Sequence, residues 1–176
     1  MRSMKFCSDT INRYSVDRKG RLGDVCMNGV RLGFSRFGFL VAALQLLPNM
    51  IWVLFPPDPN ILTTNASPKP FLEYGEHILG VAIIIMLLFL VGKNDDELMP
   101  RGRSAAFAFG AILLYWFFWV LYYAGMQGNV VLYSMVVLPP IAFFLAGLAK
   151  KVSIISITAL LFVVFHVLVT LENFPL

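Results

Sequence analysis

Residues 152–171 read VSIISITALLFVVFHVLVTL, twenty consecutive positions without a Lys, Arg, Asp or Glu. An α-helix rises about 1.5 Å per residue, so a run of this length covers the ~30 Å hydrocarbon core of a bilayer. Working outward, residues 37–55, 105–124 and 130–149 form three more uncharged runs of 19 or 20 residues. A further run at 78–91 holds only 14 residues and must borrow turns from its flank at 70–77 to span. The borrowing places that span at about 74–92 and brings acidic and imidazole groups onto a helix. The expected fold is therefore all-α, an integral membrane bundle of five transmembrane helices occupying residues 37–176.

Composition points the same way. Soluble domains hold about 45–50% apolar and about 25% charged residues, whereas this chain has 59% hydrophobic and 14% charged. Its 16 Phe, six Tyr and three Trp exceed what a soluble core of 176 residues hides from water. Lipid accepts such a load.

Lys and Arg are retained on the cytoplasmic side during insertion, which makes their distribution a topology signal. Arg2, Lys5, Arg13, Arg18, Lys19, Arg21, Arg31 and Arg36 precede the first run, Lys93, Arg101 and Arg103 separate the second from the third, and Lys150 and Lys151 separate the fourth from the fifth. Lys69 alone falls on the other side. This asymmetry predicts a cytoplasmic N-terminus and an external C-terminus in a cell membrane, bacterial inner or plasma. It also accounts for every basic cluster behind the net charge of +4, so no nucleic-acid partner is expected. The lipid bilayer is the expected partner, with a homo-oligomer or a larger membrane complex as a further one.

Residues 1–36 lack helix or strand periodicity and carry Gly20, Gly23, Gly29 and Gly33, which predicts a mostly irregular basic cytoplasmic tail. Cys7 and Cys26 both lie there and are expected as free thiols. Met27 offers a second start codon close to the first span. The segment 56–69 contains Pro56, Pro57, Pro59 and Pro68 and is expected to be extended and stiff, with Pro70 opening the next helix. It also holds Asn65-Ala66-Ser67, the glycosylation acceptor pattern. Ala106/Gly110 and Ala142/Ala146 have the four-residue spacing of close helix approach. Pro48 and Pro139-Pro140 interrupt helical ladders and free carbonyls that neighbours must satisfy.

Ionisable groups at membrane depth are costly and mark functional sites. His166 lies five residues before the end of its run, ~7.5 Å below the expected outer boundary. His166 and Thr170 share a face at i, i+4. Glu73, Glu76 and His77 share another at i, i+3 and i+4, and Gln45 and Asn49 point to the same outer half. These seven residues define a candidate polar pocket. The inner half offers little beyond Ser153, Ser156 and Thr158.

The run 47–57, LPNMIWVLFPP, the acidic turn at Glu73 and Glu76, and the ending Phe165-His166 with Glu172-Asn173 resemble a group of small, uncharacterised bacterial multi-pass membrane proteins. The resemblance covers the first, second and fifth spans. It implies that Pro48, Asn49, Trp52, Pro56 and Pro57 gather with His166 on the outer side, and it implies no activity, cofactor or substrate.

Function follows less directly. No Gly-x-Ser-x-Gly and no Asp within a span are present, as intramembrane hydrolysis would require, and no ionisable group sits at the midplane to couple ions. The expected role is a binding, accessory or transport-related component with an outward-facing polar pocket and no cofactor. The competing reading is a membrane enzyme or a metal- or haem-binding protein using His166 with Glu76 or His77.

Overall fold

The computed structural model describes residues 30–92, 100 and 102–176. Most of the expected tail, including both cysteines, Met27 and the glycines up to Gly29, lies outside the described residues, as do Lys93 and Arg101. The element order is β1 (Arg31–Leu32), α1 (Arg36–Leu54), a short 3-10 helix (Ile61–Thr64), α2 (Pro70–Phe89), β2 (Leu90–Val91), α3 (Arg103–Tyr123), α4 (Asn129–Lys150) and α5 (Ser153–Asn173). All five long helices are long and apolar enough to cross a membrane.

Local chemistry sets where each helix begins and ends. Ser35 caps α1 by accepting from the Gly38 amide at 2.9 Å. Pro70 opens α2, where its missing N–H costs nothing. Past the end of α3, Gly125 takes φ +87°, a conformation that side chains resist, and so turns the chain back into α4. A left-handed Lys151 closes α4 and leaves a single further residue before α5 begins.

Successive helices alternate in direction. The ring runs α1, α2, α5, α4, α3 and returns to α1. One end, the loop end, carries the 55–69 connection, the α3–α4 turn and the C-terminus. The other, the basic end, carries Arg31, Arg36, Arg103, Lys150 and Lys151. The interior core joins Phe37 and Val41 of α1, Ile83 and Leu87 of α2, Ala142 and Ala146 of α4, and Ile155 and Ala159 of α5. Large apolar side chains such as Leu113, Val120, Ile157 and Leu160 instead cover the outside of the ring. A surface of that kind suits hydrocarbon and not water.

Three local expectations need correction. Residues 30–36 are not irregular: β1 pairs antiparallel with β2, Arg31 opposite Val91 and Leu32 opposite Leu90. The reason is the end of α2, whose last carbonyls have no helical partners. Phe89 O accepts from the Gly33 amide at 2.9 Å, Leu88 O from the Ser35 amide at 2.8 Å, and Leu87 O from Lys150 Nζ at 2.6 Å. The helix therefore stops at Phe89, short of the expected 92, and begins four residues before the expected 74.

The second correction is that the basic end is polar inside as well as outside. Lys150 is fully buried there, its positive charge at the negative C-terminal end of α2, and Ser35 is buried beside it. Position alone gave no sign of this, because a lysine at a helix end normally reaches solvent. Third, the 55–69 connection is not extended throughout, since Ile61–Thr64 forms a 3-10 turn that packs Ile61 and Leu62 against the aromatic cluster of α3. Of the small-residue pairs, Ala142 and Ala146 are buried at a helix contact, whereas a Cβ at Gly110 would meet nothing within 4 Å.

Candidate functional site

Toward the loop end the ring does not fill. A cavity of about 500 Å³ remains, walled by residues of all five long helices together with Leu62 and Asn65 of the connection. Its walls are mostly apolar, with Ile84, Val136, Phe143 and Phe162 among them. Leu46 of α1 and Val81 and Ile85 of α2 line it while remaining exposed, so it opens sideways between α1 and α2 onto the apolar surface.

The polar groups form two sets. On the α2–α5 side, His166 Nδ1 and Glu76 Oε1 stand 2.7 Å apart, both side chains mostly buried. Close helix approach makes the pair: a Cβ on Gly75 would strike the Phe165 ring, so glycine here lets α2 lie against α5 where the neighbouring Glu76 and His166 meet. The Phe162 ring stacks on the imidazole at 4.9 Å and 18°. The Thr170 hydroxyl donates to His166 O at 3.0 Å along the helix.

On the α1–α3 side, Gln45 and Asn49 of α1, one turn apart, face Tyr115 and Trp119 of α3, also one turn apart. The Tyr115 hydroxyl stands near Trp119, Asn49 and Gln45 and gives its one proton to Asn49 Oδ1 at 3.0 Å. Both amide atoms of Gln45 and the indole Nε1 of Trp119 are left buried without hydrogen-bond partners, although Gln45 is only 1% exposed. Buried polar atoms are normally satisfied, and one left unpaired costs on the order of 1–3 kcal/mol. All three atoms sit inside the α1–α3 contact beside the Tyr115 hydroxyl, with no surface of their own open to the cavity.

Proline shapes the same region. Pro48 cannot donate to Leu44 O, and Trp116 Nε1 of α3 supplies the missing donor at 2.9 Å. That bond ties α1 to α3 next to Gln45. Pro139 and Pro140 likewise withdraw the donors due to the Met135 and Val136 carbonyls, and Met135, Val136 and Pro139 all lie on the cavity wall.

Of the seven sequence candidates, Gln45, Asn49, Glu76, His77 and His166 line the cavity. His77 is largely exposed, and its Nδ1 lies 2.7 Å from Glu73 O on its own helix. Glu73 and Thr170 stand behind the wall and hold the connection. Glu73 accepts from the Ser67 amide at 2.8 Å, and Thr170 Oγ1 accepts from Asn65 Nδ2 at 3.5 Å. Glu172 continues this fastening, accepting from the Ser67 hydroxyl and pairing with Lys69 Nζ at 2.6 Å. Over α3 the connection is pinned by Asn60 Oδ1, which accepts from both Tyr122 and Trp52 at 2.8 and 3.0 Å.

Tyr115 and Trp119 were not singled out from sequence. Their signal was present as an aromatic pair at i, i+4 matching Gln45 and Asn49, but only the fold shows that the two pairs face each other. Among the described residues no group of three or more His, Cys, Asp or Glu stands close enough to hold a metal ion. No protein-family model, curated protein or solved structure matches the chain.

Proposed function

We propose that the chain is a multi-pass cell-membrane protein that binds a small amphipathic molecule taken from the outer leaflet, acting as a binding or transport-related component and not as an enzyme. In this reading the N-terminus is cytoplasmic, the basic end faces the cytoplasm, and the loop end with the C-terminus faces outward. The observation that carries it is the cavity itself: about 500 Å³ of mostly apolar-walled space between the five helices, with Asn49, Glu76 and His166 on its wall and an opening toward lipid. Pockets of about 300–1,000 Å³ with apolar walls and few polar groups are the usual form of small-molecule sites. The sideways opening at the level of the apolar helix surface favours a ligand that partitions into the bilayer over one arriving from water.

Native mass spectrometry of protein released from its own membrane in mild detergent tests the reading. One small-molecule adduct per chain is expected, and a Gly80→Trp variant, which fills the cavity from α2, should lose it. Equal adduct occupancy in the variant, or none in the wild type, would count against a ligand-binding cavity.

Orientation has its own test. The native Cys7 and Cys26 should resist a membrane-impermeant maleimide in intact cells, while a Thr63→Cys variant should be labelled. Labelling of the native thiols, with the introduced one silent, would invert the topology.

A further inference from the structure

From the free edge of the Glu76–His166 pair we infer that the ligand is a neutral lipid alcohol, its hydroxyl donating to His166 Nε2 and its tail passing out between α1 and α2. The inference rests on the ligand-binding reading above and names the class of molecule that the cavity takes.

Placement is the first support. His166 continues the inward stripe of α5, with Ala159, Phe162 and Val169 buried at helical spacing around it. Glu76 heads the matching stripe of α2, which runs through Gly80 to the buried Ile83 and Leu87. Both members of the pair line the cavity, and stacking on Phe162 holds the plane of the imidazole. Nδ1 is taken by Glu76 at 2.7 Å. Among the described residues Nε2 has no hydrogen-bond partner, and unlike the Gln45 amide atoms it keeps surface of its own. A mostly buried ring thus presents one open, unpaired nitrogen on the wall.

Hydrogen count is the second. A carboxylate only accepts, so the contact with Glu76 draws the imidazole hydrogen to Nδ1 and leaves Nε2 as an acceptor. Ketones, esters and ethers have no hydrogen to give it. Carboxylates and phosphates would bring a second negative charge beside Glu76. A primary ammonium carries three donors, whereas the wall beyond this pair is mostly apolar and Asn49 Oδ1 already accepts from Tyr115. A hydroxyl has a single hydrogen, which one acceptor satisfies, and no charge to desolvate. It also reverses its role and accepts from Nε2 when the imidazole takes a second proton, a state that repels an ammonium.

The route is the third. Ile84, Val136 and Phe143 line the remaining space, and the opening past Leu46, Val81 and Ile85 lets an aliphatic tail reach the acyl chains.

The test uses the full-length protein in mild detergent, with tritiated dodecanol as the probe, read by scintillation proximity. The unlabelled competitors are dodecanol, its methyl ether, which keeps chain and oxygen but lacks the hydrogen, and dodecylamine. Saturable, one-to-one binding is expected, with ether and amine each about tenfold weaker than the alcohol, the worth of one hydrogen bond to a buried group. The chain has two histidines, His77 and His166. In protein carrying isotope-labelled histidine, dodecanol and not the ether should shift the His166 Nε2 resonance. His166→Asn keeps an amide hydrogen for Glu76 but has no atom at the Nε2 position, so it should bring alcohol and ether within about twofold of each other. Equal affinities for alcohol and ether, tighter binding of the amine, or an unmoved His166 resonance would overturn the assignment. So would a His166→Asn protein that still prefers the alcohol. If dodecanol fails to bind while the wild type keeps an adduct that Gly80→Trp removes, the alcohol class is wrong and the ligand-binding reading stands. Absence of any adduct, with no probe bound, would remove both.

Discussion

Replacing Gly38 by leucine is expected to leave little folded protein in a detergent extract. A Cβ at this position would run into the Leu87 carbonyl and stand 2.9 Å from Lys150 Nζ. Over-packing a core usually costs about 1–3 kcal/mol because side chains can shift. Here the obstacle is backbone of another helix, so α1 and α2 must separate. Separation also strains the three bonds that satisfy the end of α2, those from Gly33, Ser35 and Lys150. The combined loss is expected to exceed about 3 kcal/mol. Size-exclusion chromatography and thermal unfolding in detergent measure it: an aggregated or absent peak for Gly38→Leu, a lower midpoint for Gly38→Ala. Gly110→Leu is the matched control, since nothing lies within 4 Å of a Cβ there, and it should unfold like the wild type. A normal peak and midpoint for Gly38→Leu would mean that α1 and α2 do not meet as described.

That contact also shows what a sequence can and cannot carry. Five helices were readable because the signal is additive: about 20 uncharged apolar residues in a row need no knowledge of neighbours. Pro70 as a helix start was readable for the same reason, being a property of one residue. The β1–β2 pair was not, because two-residue strands have no periodicity and exist only where the open carbonyls of α2 happen to meet the chain before α1. The burial of Lys150 was not readable either, because a charge at a helix end ordinarily goes to water, whereas here the α2 terminus supplies the acceptor.

The candidate site divides along the same line. Depth and helical phase placed Gln45, Asn49, Glu76 and His166 in one half of the bundle, and all four line the cavity. Helical phase also grouped Glu73 with Glu76, but three residues along the helix carry Glu73 to the connection, where Ser67 engages it. The Trp119 and Tyr115 contribution depended on which helices are neighbours. In this ring α3 closes back onto α1, an adjacency that no local pattern encodes.

The Glu76–His166 pair yields the second large expected effect. Each side chain keeps about a fifth or less of its surface exposed, 16% for Glu76 and 21% for His166. Removing one partner leaves the other facing an apolar cavity. Breaking a fully buried pair costs about 3–5 kcal/mol, and the residual exposure here reduces that to about 1–3 kcal/mol. Glu76→Leu and His166→Leu are each expected to lower stability by that amount in chemical unfolding from detergent micelles. The double variant should be less destabilised than the two singles added together, because the second substitution removes the group that the first left unpaired. Polar contacts between transmembrane helices couple by about 0.6 kcal/mol on average. A coupling above about 1 kcal/mol would therefore identify the pair as a specific polar lock between α2 and α5. Additive losses would mean that the two side chains do not interact where α2 meets α5. Gly75→Leu should mimic the single losses without touching either group, since its side chain would push the Phe165 ring and with it the face of α5 that presents His166.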